Sequence, residues 1–208
     1  MITAIGDVMR EAYSRGWITT RDGNCSLRRS KSNTLYITPS GVRKNIVYPE
    51  TIRKIKILNR CTSTRNLGNT VEVLDLNDIK DASGELEMHW NIQKNCKKTR
   101  CVLHLHPTYI VAAMHAGLDL KEISKDFPEI YRYTRVGPNV PQVPPISKEL
   151  ATLTSECLGV TLNSSIEYDI VGQKGHGVCS VGNNPWDAFE HIERLEHICK
   201  IVLASGRV

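Results

Sequence analysis

Apolar side chains at Ile5, Val8, Met9, Ala12 and Tyr13 recur at helical spacing, and Gly16 is placed to end that helix. The period then changes. A turn-forming cluster, Asp22-Gly23-Asn24-Cys25-Ser26, precedes short β-like runs at 35–38, 54–57 and 71–74. A helix is expected over 85–93, entered from Ser83-Gly84. Residues 100–106 read as a strand stopped by Pro107, and 108–116 as a helix. Four prolines between 136 and 145 demand an extended or looped path. Ser147 can cap a helix running to about Leu158, and 168–171 and 177–181 read as the last two strands. The final helix is the best marked. Asn184 suits the N-cap, Pro185 suits the first helical position, and Phe189, Ile192, Leu195, Cys199 and Val202 keep helical spacing. Helices and short strands alternate irregularly, without a repeat, which predicts an α/β layer fold. A length of 208 residues suits one domain over 1–208.

Composition narrows the function classes. With 40% hydrophobic and 24% charged residues, a disordered chain, a collagen and a small disulfide scaffold are excluded. The net charge of +5 is mild and fits anionic small molecules without requiring nucleic acid. Residues 43–65 hold seven positive charges and one acid, Glu50, but no aromatic platform for bases, so a charged sheet face is expected. No apolar run approaches a membrane span, and the N-terminus is amphipathic rather than a signal peptide. Seven cysteines without a CxxC point to reduced thiols and a cytoplasmic protein.

His104 and His106 are the strongest chemical signal. Two positions apart on a strand, they point to one face and can converge on one ion. A divalent metal such as zinc needs at least three protein ligands, and His176, between Gly175 and Gly177, is a candidate third. The spacing alone leaves open that these histidines are ordinary polar groups. Glu85 and His89 lie four apart on one helix face, so Glu85 is either a metal-side acid or base, or an exposed first-turn acid paired with His89. Gly23-Asn24, Ser40-Gly41 and Ser83-Gly84 are turns able to present N–H groups to an anion, the last at a helix N-terminus. His191 and His197, among Glu190, Glu193 and Glu196, read as a solvated helix surface.

In order along the chain, GNCSLR at 23–28, YITPSG at 36–41, SGELEMH at 83–89, VLHLHP at 102–107 and GHGVCSVG at 175–182 resemble the class II aldolase/adducin family. The L-fuculose-phosphate aldolase-like members are the most similar, over about residues 5–203. The resemblance implies a three-layer α/β/α sandwich around a largely antiparallel central sheet, and a homotetramer with active sites at subunit interfaces. It implies metal ligands at His104, His106 and His176, with one Zn2+ or other divalent ion per chain. Glu85 would also bind the metal in free enzyme and act as acid and base. The phosphate pocket would comprise Gly23, Asn24, Ser40, Gly41, Ser83 and Gly84. Tyr131, or its neighbour Tyr133, would reach an adjacent subunit's site. Two features depart from the family: Gly84 replaces a frequent second serine, and the tail after the last helix is short. The implied activity is zinc-dependent aldol cleavage of a phosphorylated ketose to dihydroxyacetone phosphate and an aldehyde. The alternatives are a sugar-phosphate epimerase or dehydratase of the same family, or a non-catalytic adducin-like scaffold, a branch that lacks the metal ligands.

Overall fold

The structure, a computed structural model, describes residues 2–29, 34–56, 81–95, 100–161 and 165–206. Its strands are β1 (Asn24–Arg28), β2 (Thr34–Ile37), β3 (Arg53–Lys56), β4 (Cys101–Leu105), β5 (Ile170–Gln173) and β6 (Gly177–Gly182). They form one antiparallel sheet in the order β3-β2-β1-β4-β6-β5. Helices α1 (Thr3–Ser14), α3 (Thr108–His115) and α7 (Pro185–Ala204) lie on one face, and α2 (Leu86–Asn95) and α6 (Lys148–Cys157) on the other. Two short helices, α4 (Leu120–Lys125) and α5 (Pro128–Tyr133), pack beside α7. This is the three-layer sandwich that the resemblance implies, and it is the α/β layer fold expected from the pattern.

Strand alternation sorts the two layers. Cys25 and Leu27 of β1 and Cys101, Leu103 and Leu105 of β4 pack against Ile5, Phe189 and Ile192. Val102, Val171, Cys179 and Val181 face the other way, onto Met88, Ile92, Leu150 and Ala151. Burying each such side chain contributes about 1.5–3 kcal/mol. On that second face Asn24, Ser26 and His104 alternate with the inward apolar set, so buried polar groups collect there.

Helix ends follow local chemistry. Gly16 takes φ +70°, its N–H bonds the Tyr13 carbonyl (3.1 Å), and the Trp17 N–H returns to the Ala12 carbonyl (2.9 Å), closing α1. The Asn184 side chain accepts from the N–H groups of Trp186 and Asp187 at 2.9 and 3.1 Å, and Ser147 accepts from Leu150 at 3.0 Å.

Several elements differ from the sequence reading. The expected turn at 22–26 is already strand from Asn24, because its backbone pairs with β4, Asn24 opposite His104. The strands expected at 54–57 and 168–171 run over Arg53–Lys56 and Ile170–Gln173. The run at 71–74 lies outside the described residues. Helices α4 and α5 had no counterpart in the periodicity. Glu196, expected on a solvated surface, is buried and accepts from the Tyr109 and Ile110 N–H groups at 3.0 and 2.8 Å, capping α3 from α7. In the basic stretch, Lys44 is buried with Nζ on the Val42 carbonyl, 3.3 Å, while Arg53 pairs with Asp81 at 3.2 Å. Among the described residues, Cys25, Cys101, Cys157, Cys179 and Cys199 are free thiols. No helix among those residues is long and apolar enough to cross a membrane.

Candidate metal centre

His104 closes β4 on its polar face, and His106 follows two residues on. His104 Nδ1 donates to the Val178 carbonyl of β6 at 2.9 Å, which leaves the Nε2 lone pair pointing into the site. Nε2 of His106 stands 2.8 Å from it. His176 arrives on the β5–β6 hairpin. A Cβ on Gly177 would collide with the Leu105 carbonyl oxygen, so a glycine there lets the hairpin lie against β4, while Gly175 turns the chain with φ +69°. The His176 ring centroid is then 4.6 Å from that of His104 and 5.0 Å from that of His106. One ligand atom from each of the three imidazoles lies within 4.8 Å of the others.

Glu85 completes the group from the turn before α2. Its Oε2 is 3.6 Å from His104 Nε2 and its Oε1 is 3.8 Å from His176 Nε2. Burial pushes the His104 imidazole down to about 3, helped by the nearby His176 and opposed by the Val178 carbonyl. Burial also pushes His106 down to about 3, with His104 and His176 adding to the effect. Metal binding requires neutral imidazoles, and these are neutral at physiological pH. Three nitrogens and one carboxylate, with one tautomer fixed by a backbone carbonyl, fit zinc or a similar divalent ion.

A chain of buried polar side chains stands behind Glu85. Asn24 Nδ2 donates to Glu85 Oε2 at 2.8 Å. The Asn24 carbonyl oxygen meets His89 Nε2, which must donate, so Nδ1 of a neutral ring accepts from the Ser26 hydroxyl at 2.7 Å. Burial pushes His89 down to about 3, against the pull of Glu85, so the ring is neutral. Gln93 stands beside the end of the chain, its carbonyl oxygen 3.3 Å from Ser26 Oγ and its amide donating to the Arg100 carbonyl at 2.8 Å. One alternative of the sequence reading paired His89 with Glu85 directly. In the fold, Asn24 bridges the two.

The candidate anion turns gather beside Glu85. The Ser40 N–H bonds the Asp81 carbonyl at 2.7 Å and the Ser83 N–H bonds Thr38 at 3.1 Å, drawing Ser40-Gly41 and Ser83-Gly84 together. The Thr38 N–H bonds the Cys25 carbonyl at 3.0 Å, which adds Gly23-Asn24. The Asn24 side chain is directed inward, with one amide proton on Glu85 and a second remaining. Tyr131 is placed apart from the cluster, on α5, and is 80% exposed.

Residues 3–203 match the family described as Class II Aldolase and Adducin N-terminal domain. The chain belongs to this family. It is 26% identical over 200 residues to an L-fuculose phosphate aldolase of Methanococcus maripaludis, covering 96% of this chain and 94% of that protein. It is 27% identical over 201 residues to a 3-oxo-tetronate 4-phosphate decarboxylase of Pectobacterium atrosepticum, covering 93% and 79%. The fold superposes on the crystal structure of L-fuculose-1-phosphate aldolase from Thermus thermophilus with a TM-score of 0.74 and 22% identity, over 98% of this chain and 92% of that one. The resemblance implies metal ligands at the three histidines and Glu85, which meet at one point, and gives no role to His89 or Ser26. The sequence signal for His89 is its spacing four residues from Glu85, and that for Ser26 is the alternation that sets Asn24 and Ser26 on the face of His104.

Proposed function

We propose that this protein is a metal-dependent lyase that reversibly cleaves a phosphorylated ketose into dihydroxyacetone phosphate and an aldehyde. The observation that carries the reading is the convergence of His104, His106, His176 and Glu85 beside the Gly23-Asn24, Ser40-Gly41 and Ser83-Gly84 turns. His104, His106 and His176, with Glu85, would hold one Zn2+ or other divalent ion. That ion, when bound, supplies Lewis-acid stabilisation of negative charge on a ketone oxygen. Glu85 moves the proton between substrate carbon and solvent. Ser40, Ser83 and the turn amides hold the phosphate, so binding energy far from the breaking bond fixes its geometry. The exposed Tyr131 serves a neighbouring subunit's site in a homotetramer. The decarboxylase relative supports a second reading, loss of CO2 from an oxo-acid phosphate at the same site.

Glu85→Gln tests the first reading. The variant keeps the side-chain volume and the histidine ligands but cannot take a proton. Exchange of the carbon-bound proton of dihydroxyacetone phosphate with solvent should fall about 10²- to 10⁴-fold per bound metal. Glu87→Gln, on the exposed side of α2, should leave exchange unchanged. Near-normal exchange in Glu85→Gln rejects Glu85 as the base. Release of CO2, rather than aldehyde, across a panel of phosphorylated substrates would favour the second reading.

A further inference from the structure

The proposed chemistry leaves one strained residue unexplained. Ile146, with φ +59°, is the one non-glycine at positive φ among the described residues. A β-branched residue resists this region because its Cβ crowds the backbone. Ile146 is 66% exposed, so burial of its side chain does not offset the strain. Its side chain lies across Gly84 instead. A Cβ on Gly84 would stand 3.2 Å from both Cδ1 and Cγ2 of Ile146. Gly84 itself is not among the glycines at positive φ, so the missing side chain there answers to Ile146 and not to the backbone.

Ile146 ends a strap over residues 142–146. Before the strap, Val140 bridges Gln173 of β5, and after it Ser147 caps α6. Gln142 packs on Gly175, where a Cβ would lie 3.0 Å from its Cδ. The strap therefore leans on the glycine before His176 at one end and on the glycine before Glu85 at the other. A cavity of about 510 Å³ opens between residues 142–145 and the Lys174–His176 turn.

We propose that Ile146 is a specificity-determining residue of the phosphate pocket. It fills the place of a side chain at position 84 and sets an apolar wall there. The inference rests on the phosphate-pocket reading above and deepens it. A ligand oxygen on the side of residue 84 that Ile146 covers would meet hydrocarbon, whereas the methylene that bears a phosphate would pack there. The pocket thus selects a phosphate monoester whose carbon chain, not a third oxygen, faces Ile146.

A double-mutant cycle read with inorganic phosphate on the metal-loaded protein tests this. Gly84→Ser alone should gain little affinity, because its side chain and Ile146 contend for the same space. With Ile146→Gly already in place, the same change should tighten phosphate binding about tenfold or more, as a hydrogen bond to a charged oxygen does. Gly84→Ser should also lower the melting temperature in the parent background and not in the Ile146→Gly background. Equal effects of Gly84→Ser in both backgrounds would overturn the role of Ile146. Absence of phosphate binding in every variant, the parent included, would overturn the pocket reading and the inference with it. Binding in the parent with an additive cycle removes Ile146 alone.

Discussion

The two faces of the sheet are built from the same strands and spend their burial differently. On the α1–α3–α7 face, β1 and β4 contribute Cys25, Leu27, Cys101, Leu103 and Leu105 to an apolar layer. On the α2–α6 face the same strands contribute Asn24, Ser26 and His104, all at most 7% exposed. Buried polar groups cost free energy unless each finds a partner. Here the cost is met by the chain from Glu85 through Asn24 and His89 to Ser26. The dry face stabilises the fold. The wet face uses part of that stability to hold neutral imidazoles and a carboxylate in fixed positions.

Substitutions should separate the two faces. Ile192→Ala, in the apolar layer, should cost about 2–5 kcal/mol of stability in denaturant unfolding. Turnover per folded molecule should stay near that of the parent, and a specific loss of turnover would deny the division. On the other face, His89→Phe keeps a ring but frees Asn24 to turn, so Glu85 loses its fixed donor. Metal affinity or turnover should fall about 10- to 100-fold, as for other groups that orient ligands. His89→Gln, which retains a donor for the Asn24 carbonyl, should recover part of the loss. Equal defects in both variants would make His89 a packing residue only.

A third test of the comparison is a pH slope. His89, His104 and His106 titrate near 6.5 when unfolded and at about 3 in the fold. Below pH 6.5 the unfolded chain binds protons that the folded chain does not. Their contribution is therefore complete above pH 6.5 and declines as pH falls toward 3. The slope is at most about 1.4 kcal/mol per pH unit for each histidine. Chelator-treated protein should show a lower urea midpoint at pH 5 than at pH 7. A flat midpoint would mean that these imidazoles are not held neutral.

Much of this was legible in the chain because the signals are local. Asn184-Pro185 starts α7, Gly16 ends α1, and the His-x-His alternation alone sets two imidazoles on one face. The errors arose where distant backbone decides. Asp22-Gly23-Asn24 has turn composition, yet pairing with β4 draws Asn24 into a strand. Asp119 caps α4 and Pro128 begins α5, but six residues are too few to display a helical period. Glu196 has the pattern of a surface acid until α3 docks its N-terminus on it. His89 finds its partners 63 and 65 residues away, beyond any local pattern.

The pairing of Asn24 with His104 also makes the centre self-checking. A slip of β1 by one residue would reverse every side chain it carries. Asn24 and Ser26 would enter the apolar layer without partners, and Cys25 would be delivered to the histidines. A thiolate there is a soft ligand that competes for zinc, so the slipped chain would trap metal in the wrong donor set. Leu27 and Cys25 guard against that outcome simply by being greasy. A molecule that has sealed its dry layer has already dealt the correct donors to the other side, and the assembly of a reactive centre is proofread by residues that never touch it.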